Sequence, residues 1–528
     1  MQQKSLGGAL FGISVSMAGV LSAERPNIVF IHVDDMDFDE IGCFDGQGKV
    51  LTPNMDSLAK DGMKFNRAYV VSSVCVPSRY STLTGKYPSH NNLLNKIVPE
   101  DKTLSIENED WFPMSGVYIE EGGGEKTVAH YLKELGYRTG MVGKYHNDRQ
   151  SLSRPYLNFG EDPFDPEVDR KVKSHYQETL ERVKRQTGFD VVDRLYWENK
   201  EAFPVKALQF DNTPWVVEGA VKFVKENKEH PFFLYYSIPL PHGDPVNNWW
   251  RTRYNPEVKV NMEDRDPRAT PAGMLTEVPQ IQPSREDVIE RCRKAGTWGD
   301  SSSVMTWLDD SIGVLLRTLD EEGLSANTMI VFLSDHQSDG KRTLYEKGVR
   351  VPMIVKWPGK VSPGSESSRL IANIDILPTL IKIAGGNPAV FHEFNGVDFS
   401  PLLSDPEVSI RDHIMLEIGF ARGVVTEQHK YIAVRFPEYI HETMASNDKV
   451  IWDGSNTRAS QTWFKQFFPN YSDSDQLYDL KNDSYEQINQ CSNPEYASVL
   501  SELKHILSED LSQFMHSFGE FKKAVLKK

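Results

Sequence analysis

Two chemistries are scarce in this chain of 528 residues: it has four cysteines, and its 59 lysines and arginines fall short of its 75 aspartates and glutamates, for a net charge of −16. The deficit of basic side chains excludes nucleic acid as a bulk electrostatic partner, because phosphate binding needs an excess of Lys and Arg. Cys43, Cys75, Cys292 and Cys491 match no zinc-site spacing and are too few for a disulfide scaffold. With Cys75 chemically occupied, the others allow at most one bridge. Long apolar runs are also missing, apart from one at the N-terminus. There, Lys4 precedes an apolar stretch that ends in the small residues Ser22 and Ala23. That pattern predicts a signal peptide over residues 1–23, a mature chain starting near Glu24, export to the periplasm or extracellular space, and no membrane span in the mature form. Internal repeats and low-complexity tracts are absent. What is present, 39% hydrophobic residues with 11% aromatics, is enough to fill a large core.

Several apolar runs stop at residues able to do chemistry. "NIVFIHV" leads into Asp34 and Asp35, "YRTGMVG" into Lys144 and His146, "PFFLYYSIPL" into His242, and "TMIVFLS" into Asp335 and His336. Runs without alternation suit strands covered on both faces, as in a parallel sheet flanked by helices, and ligands of such sheets bind beyond the carboxyl ends of the strands. Between the runs lie amphipathic helical patterns. "TPNMDSLAKDG" has Thr52 as a cap, Pro53 in the first turn and Gly62 at the end; "TVAHYLKELG" and "MTWLDDSIGVLLRTLDEEG" stop at Gly136 and Gly323.

The expected fold is therefore α/β: a large, mixed, mostly parallel sheet flanked by helices, over residues 24–403. Composition shifts after Leu403. "ARGVVTEQHKYIAVRF" reads as a hairpin, and Val499, Leu500, Leu503, Ile506, Leu507, Leu511 and Phe514 form the stripe of a terminal helix, predicting a smaller α+β subdomain over 404–528. The stretch from Asp244 to about Pro283 reads as a surface loop.

An Asp-Asp pair at a strand end is ordinarily a turn or a cap. Two acidic strand ends aimed at one sheet edge favour a hard cation such as calcium or magnesium, held by Asp34, Asp35, Asp335 and His336. His32 reads as a strand residue and no ligand. Lys144, His146, His242, Lys341 and Arg79 add cations and proton donors, which together make a pocket for a tetrahedral oxyanion such as sulfate or phosphate. Pro77 suits the first turn of a helix running to about Gly85, which sets Cys75 just ahead of the helix N-terminus, where backbone N–H groups favour anions. A nucleophile, a metal ligand and a packed core residue all fit that position. A thiolate is poorly matched to sulfur(VI) or phosphorus(V), and an exported thiol is vulnerable to oxidation.

"CVPSRYSTLTG" resembles the signature of the formylglycine-dependent sulfatases of the alkaline phosphatase superfamily. Supporting matches occur in the family's order: "RPNIVFIHVDD", "LTPNMDSLAKDGMKFNRAYV", "GYRTGMVGKYH", "PFFLYYSIPLPHGDP", "SDHQSDGKRTLYEKGVRVPMIVKWPG", "IDILPTL" and "DQLYDLKNDSYEQIN". The resemblance implies an alkaline-phosphatase-like fold and oxidation of Cys75 to formylglycine (3-oxoalanine) by a formylglycine-generating enzyme that reads Pro77, Ser78 and Arg79. It implies one Ca2+ on Asp34, Asp35, Cys75, Asp335 and His336. It further implies that Arg79 orients the hydrated aldehyde, Lys144 and Lys341 bind sulfate oxygens, His146 assists release of sulfate, and His242 protonates the leaving alcohol. Three features depart from the family's pattern: Tyr145 stands where Trp is frequent, "DHQ" replaces "DNG" or "DHG", and "PHGDP" lengthens P-H-x-P.

The implied activity is hydrolysis of sulfate esters on a sulfated saccharide. The alternatives are a formylglycine-dependent phosphonate or phosphodiester hydrolase, and a non-catalytic exported glycan-binding protein with Cys75 unconverted. In "NNWWRTRYNP", Trp249 or Trp250 is a candidate to stack on a sugar, and Arg251 or Arg253 to hold a neighbouring sulfate.

Overall fold

The computed structural model describes residues 25–91, 117–148, 162, 165–199, 212–242, 275, 277, 279–436, 452, 461–514 and 518–521. The predicted signal peptide and the Trp249, Trp250, Arg251 and Arg253 segment lie outside the described residues.

The strands in chain order are β1 (Asn27–Asp34), β2 (Met63–Tyr69), β3 (Arg138–Lys144), β4 (Val191–Tyr196), β5 (Phe232–Pro241), β6 (Thr328–Ser334), β7 (Arg350–Lys356), β8 (Ser365–Ser367), β9 (Ile371–Ala372), β10 (Ile414–Ile418), β11 (Ala421–Val425), β12 (His429–Val434) and β13 (Asp475–Asp479). The first nine form one sheet in the order β4-β3-β5-β1-β6-β7-β2-β8, with β9 also on β2. From β4 to β6 every pairing is parallel, and β7 runs against both its neighbours β6 and β2. This is the mixed, mostly parallel sheet expected. Every residue of β1, β5 and β6 is buried, as continuous apolar runs require when helices cover both faces.

Register then sets the site. Ile28 of β1 lies opposite Phe233 of β5 and Met329 of β6, so the three central strands reach their carboxyl ends together. Helix α1 (Pro53–Asp61) has Thr52 at its N-cap and Gly62 at its C-cap, as predicted. Asp309, on the long helix Asp300–Glu321, accepts from the Met55 and Asn54 amides at 2.7 and 3.0 Å and so supplies the negative end that the N-terminus of α1 attracts. That long helix starts at Asp300 rather than at Met305. The serines ahead of Met305 extend it, with the Ser303 hydroxyl donating to Gly299 O at 2.6 Å.

The second sheet, β10-β11-β12-β13, is antiparallel throughout. Its centre is the predicted hairpin, with Val424 opposite Tyr431. The terminal helix Ala497–Leu511 lies on β11 and β12 through Leu503, Leu507 and Leu511; Val499, Leu500 and Ile506 of the expected stripe are only partly buried. All four cysteines are free thiols. Among the described residues, no helix is long and apolar enough to cross a membrane.

Candidate active site

Helix α2 (Cys75–Thr84) opens at Cys75 itself, with Val74 as N-cap and Gly85 closing it at φ 68°. The sequence places Cys75 just ahead of a helix that has Pro77 in its first turn. Pro77 does lie within the first turn, where its missing N–H leaves no intrahelical bond unmade, and the helix takes in Cys75 as its first residue, with Ser78 N donating to Val74 O. Cys75 therefore presents its sulfur from the first turn, towards the carboxyl ends of β1 and β6.

Asp34 is the last residue of β1, and Asp35 turns away from it in the left-handed region at φ 66°. Such a backbone disfavours residues other than glycine, and here it is held by the Asp35 amide donating to Asp335 Oδ1 at 3.0 Å. At β3, Gly143 (φ 97°) lets the chain pass against the Ser237 carbonyl, which a side chain would overlap, and Lys144 follows. His146 is likewise left-handed, at φ 61°.

All ten residues singled out in the sequence meet at this edge. Arg79, fully buried, ties the floor together: Nε donates to Asp335 Oδ2 at 3.0 Å, Nη2 to Asp34 Oδ1 at 3.2 Å, and Nη1 to Ser237 Oγ at 2.6 Å and Lys144 O at 3.3 Å. Lys144 Nζ donates to Asp34 Oδ2 and, at 2.6 Å, to Asn199 Oδ1. His336 Nδ1 faces Gln337 O at 3.0 Å, which turns Nε2 to within 3.0 Å of Asp35 Oδ1 and 3.3 Å of Cys75 Sγ.

Nearer the mouth, Lys341 Nζ reaches both oxygens of Asp35 at 2.9 Å and Cys75 Sγ at 3.5 Å. His242 Nε2 stands 3.7 Å from Asp35 Oδ2, and His146 Nε2 3.4 Å from Glu198 Oε1. Asp37 fixes the loop that carries Lys341, accepting from Ser338 N at 2.9 Å, Ser338 Oγ at 2.6 Å and Asp339 N at 3.3 Å.

The charges shape one another. Burial favours neutral carboxyls, yet Lys144, His242 and Arg79 hold Asp34 well below the usual carboxylate range, and Lys341 with His242 and His336 does the same for Asp35. Burial and the Asp34 charge push Asp335 up to about 8. His336 is pushed up to about 9 because Asp335 and Asp35 outweigh its burial. The Cys75 thiol is held well below its ordinary value by Lys144 and Lys341, against burial. Burial lowers His242, with Asp35 opposing; His146 is raised despite burial and Lys144, through hydrogen bonds to Cys75 and Glu198. His32, excluded as a ligand, pairs instead with Tyr235 OH at 2.7 Å.

Two donor groups centre on Cys75, one with Asp35 and His336 and one with Asp34 and Asp335. Within each, the ligand atoms lie within 4.8 Å of one another. Three carboxylates with one imidazole nitrogen make an oxygen-rich set of the kind a hard divalent cation takes. Sequence reading missed Asn199, Glu198 and Ser237. The first two follow the end of β4 and obey the same strand-end rule as the others, whereas a lone serine inside the apolar run of β5 carries no signal.

Residues 26–386 match the sequence family described as Sulfatase, and residues 334–440 match N-sulphoglucosamine sulphohydrolase, C-terminal. The chain is 26% identical over 513 residues to the ulvan-active sulfatase of Formosa agariphila, covering 94% of this chain and 81% of that one. Identity to arylsulfatase A of Homo sapiens is 28% over 416 residues, covering 73% and 69%. Among solved structures, a protein in complex with its substrate D-glucosamine-2-N,6-O-disulfate shares the fold at a TM-score of 0.58 and 20% identity, over 93% of this chain and 98% of that one.

Proposed function

The chain belongs to the formylglycine-dependent sulfatase family of the alkaline phosphatase superfamily and is a sulfuric ester hydrolase, and from that premise we propose that it is exported and removes sulfate from a sulfated carbohydrate, using a formylglycine made from Cys75 and one calcium ion. The observation that carries the reading is the convergence of Asp34, Asp35, Asp335 and His336 on Cys75 at the mouth of α2. The substrate class is supported by a relative named for ulvan, and a solved structure of the same fold holds a glucosamine disulfate as its substrate.

Calcium would be held by Asp34, Asp35, Asp335, His336 and the group at position 75, and when bound it supplies Lewis-acid polarisation of a sulfate oxygen. A formylglycine at position 75, flanked by Arg79, His336 and Lys341, would supply as its hydrate two hydroxyls on one carbon, one for nucleophilic attack on sulfur and one for the release of sulfate. The remaining work falls to ordinary side chains. Arg79 keeps Asp34 and Asp335 aimed inward, and its charge lets two carboxylates lie together in a buried floor. Lys341, at the mouth, takes a sulfate oxygen; Lys144, with Asp34 and Asn199 on two of its donors, offers the third. His146 holds the proton that the second hydroxyl loses, oriented by Glu198. His242, beside Asp35, delivers a proton to the departing sugar oxygen.

The test is a desulfation screen over sulfated saccharides with protein whose Cys75 conversion has been verified by mass spectrometry. Sulfate release from at least one saccharide is expected. Faster turnover of an aryl phosphodiester than of every sulfate ester would favour the phosphodiesterase alternative.

A further inference from the structure

The segment that carries Lys341 is gripped from two sides. On the active-site side, Arg342 N donates to Ser73 O at 3.1 Å and Ser73 Oγ donates to Thr343 O at 2.5 Å. On the other side the partners belong to the antiparallel sheet and its loops. Lys430 of β12, fully buried, donates to Leu344 O at 3.0 Å and lies 2.7 Å from Glu346 Oε1 and 2.8 Å from Glu486 Oε1. Glu346 N donates to Glu486 Oε2 at 2.6 Å, and Tyr345 OH to Gln476 Oε1 at 2.7 Å.

Two carboxyls and two cations meet here, Lys430 buried and Arg350 at the part-exposed edge, and burial with the Glu346 charge pushes Glu486 up to about 7. Glu346 also receives Tyr69 OH at 3.1 Å and has Arg350 Nε 3.1 Å away. Glu486 reaches the cluster from a left-handed backbone, φ 58°, that a residue with a side chain adopts only when its surroundings hold it there. Buried ion pairs add little net stability compared with apolar packing, but they fix geometry, because removing one partner leaves the other uncompensated. Apolar packing would have sufficed merely to glue two sheets together. A charge cluster that bonds the backbone of Leu344 and Glu346 fixes where the preceding residues stand.

We propose that Lys430 and Glu486 are positioning residues for sulfate binding: the second sheet, through them, sets the Leu344–Glu346 backbone and thereby the position of Lys341 beside Asp35 and Cys75. This rests on the reading of Lys341 as a sulfate ligand.

The experiment is a double-mutant cycle on the converted full-length enzyme, with kcat/KM on a small aryl sulfate as the readout. Lys430→Met in the natural background is expected to lower kcat/KM by roughly tenfold or more, mainly through KM, whereas in the Lys341→Ala background it changes kcat/KM less than about twofold. Lys430→Arg, which keeps the charge, restores part of the loss. Glu486→Gln follows the same pattern and takes the place of Lys430→Met if that variant does not accumulate as folded protein. Equal losses in both backgrounds, with Lys341→Ala itself impaired, overturn the positioning role and leave Lys341 as a sulfate ligand. An unimpaired Lys341→Ala enzyme overturns the sulfate-ligand reading first, and the inference with it.

Discussion

The sulfur of Cys75 lies 3.3 Å from Nε2 of His336, although the two residues are 261 positions apart in the chain. Cys75 comes from the first turn of a helix and His336 from the end of a strand, and both are buried against Asp35. A packed core cysteine has no need of such company. On the proposed reading, position 75 shares its outer atom with the metal centre that His336 and Asp35 would serve, and chemistry at 75 and metal binding are then expected to be lost together.

Replacement of that one side chain separates chemistry from fold. Cys75→Ala is expected to abolish turnover with an unchanged unfolding midpoint, apart from the small loss of a buried sulfur. Cys75→Ser keeps one hydroxyl, not two on one carbon, and should transfer sulfate at most once per molecule. Quantifying sulfate released per enzyme in a burst experiment decides this, and repeated turnover by the Ser variant would contradict it.

Asp335→Ala removes a carboxylate that also anchors Asp35 N and Arg79. Calcium affinity and kcat should fall together, the rate by at least about a hundredfold, as when a preorganised electrostatic group is lost from an active site. Calorimetric calcium titration beside steady-state rates checks the pairing. Full activity of metal-free protein in excess chelator would remove calcium from the account.

Arg79→Met leaves Asp34 and Asp335 buried without their shared guanidinium. A loss of about 3–5 kcal/mol is expected, the range for breaking a buried ion pair, with calcium restoring part of the unfolding midpoint by compensating the same carboxylates. Arg79→Lys should rescue poorly, since one ammonium does not span Asp34, Asp335 and Ser237 as the guanidinium fork does. Thermal unfolding with and without calcium measures both, and an unchanged midpoint in Arg79→Met would refute the floor's dependence on this residue.

Asn199→Ala frees Lys144 from one of its two anchors. Because a hydrogen bond to a charged group is at stake, kcat/KM should drop about tenfold on any sulfate ester, small or large. A loss confined to oligosaccharide substrates would move Asn199 from positioning Lys144 to contacting the sugar.

Hydrolysis in 18O-labelled water should place the label in the released sulfate, because attack falls on sulfur and the sugar C–O bond survives. Mass spectrometry of both products reads this directly. Label in the sugar hydroxyl would mean cleavage at carbon and a different mechanism.

Much of the site was legible because parallel strands are buried on both faces. Their runs are continuous, and the first polar residue after each run marks the catalytic edge, as at Asp34, Lys144, His242 and Asp335. β4 broke that rule. It ends the sheet, Asp193 and Arg194 are only part-buried, and its mixed pattern hid Glu198 and Asn199 behind it. Pro77 falls in the first turn of α2 as its sequence position suggests, but the helix takes in Cys75 too, because proline is tolerated anywhere in the first turn and so does not mark which residue opens it. The Lys430, Glu346 and Glu486 cluster had no local signature, since each residue taken singly reads as a solvated charge and only the docking of two sheets buries them together.

On the proposed mechanism, activity belongs to the converted residue at 75. The most direct test is the specific sulfatase activity of preparations in which the fraction of Cys75 converted to formylglycine, measured by mass spectrometry of the peptide, is varied by co-expressing or withholding the generating enzyme. Activity should rise in proportion to that fraction and extrapolate to zero at no conversion. Sustained sulfate release by protein whose Cys75 is entirely thiol would contradict the account.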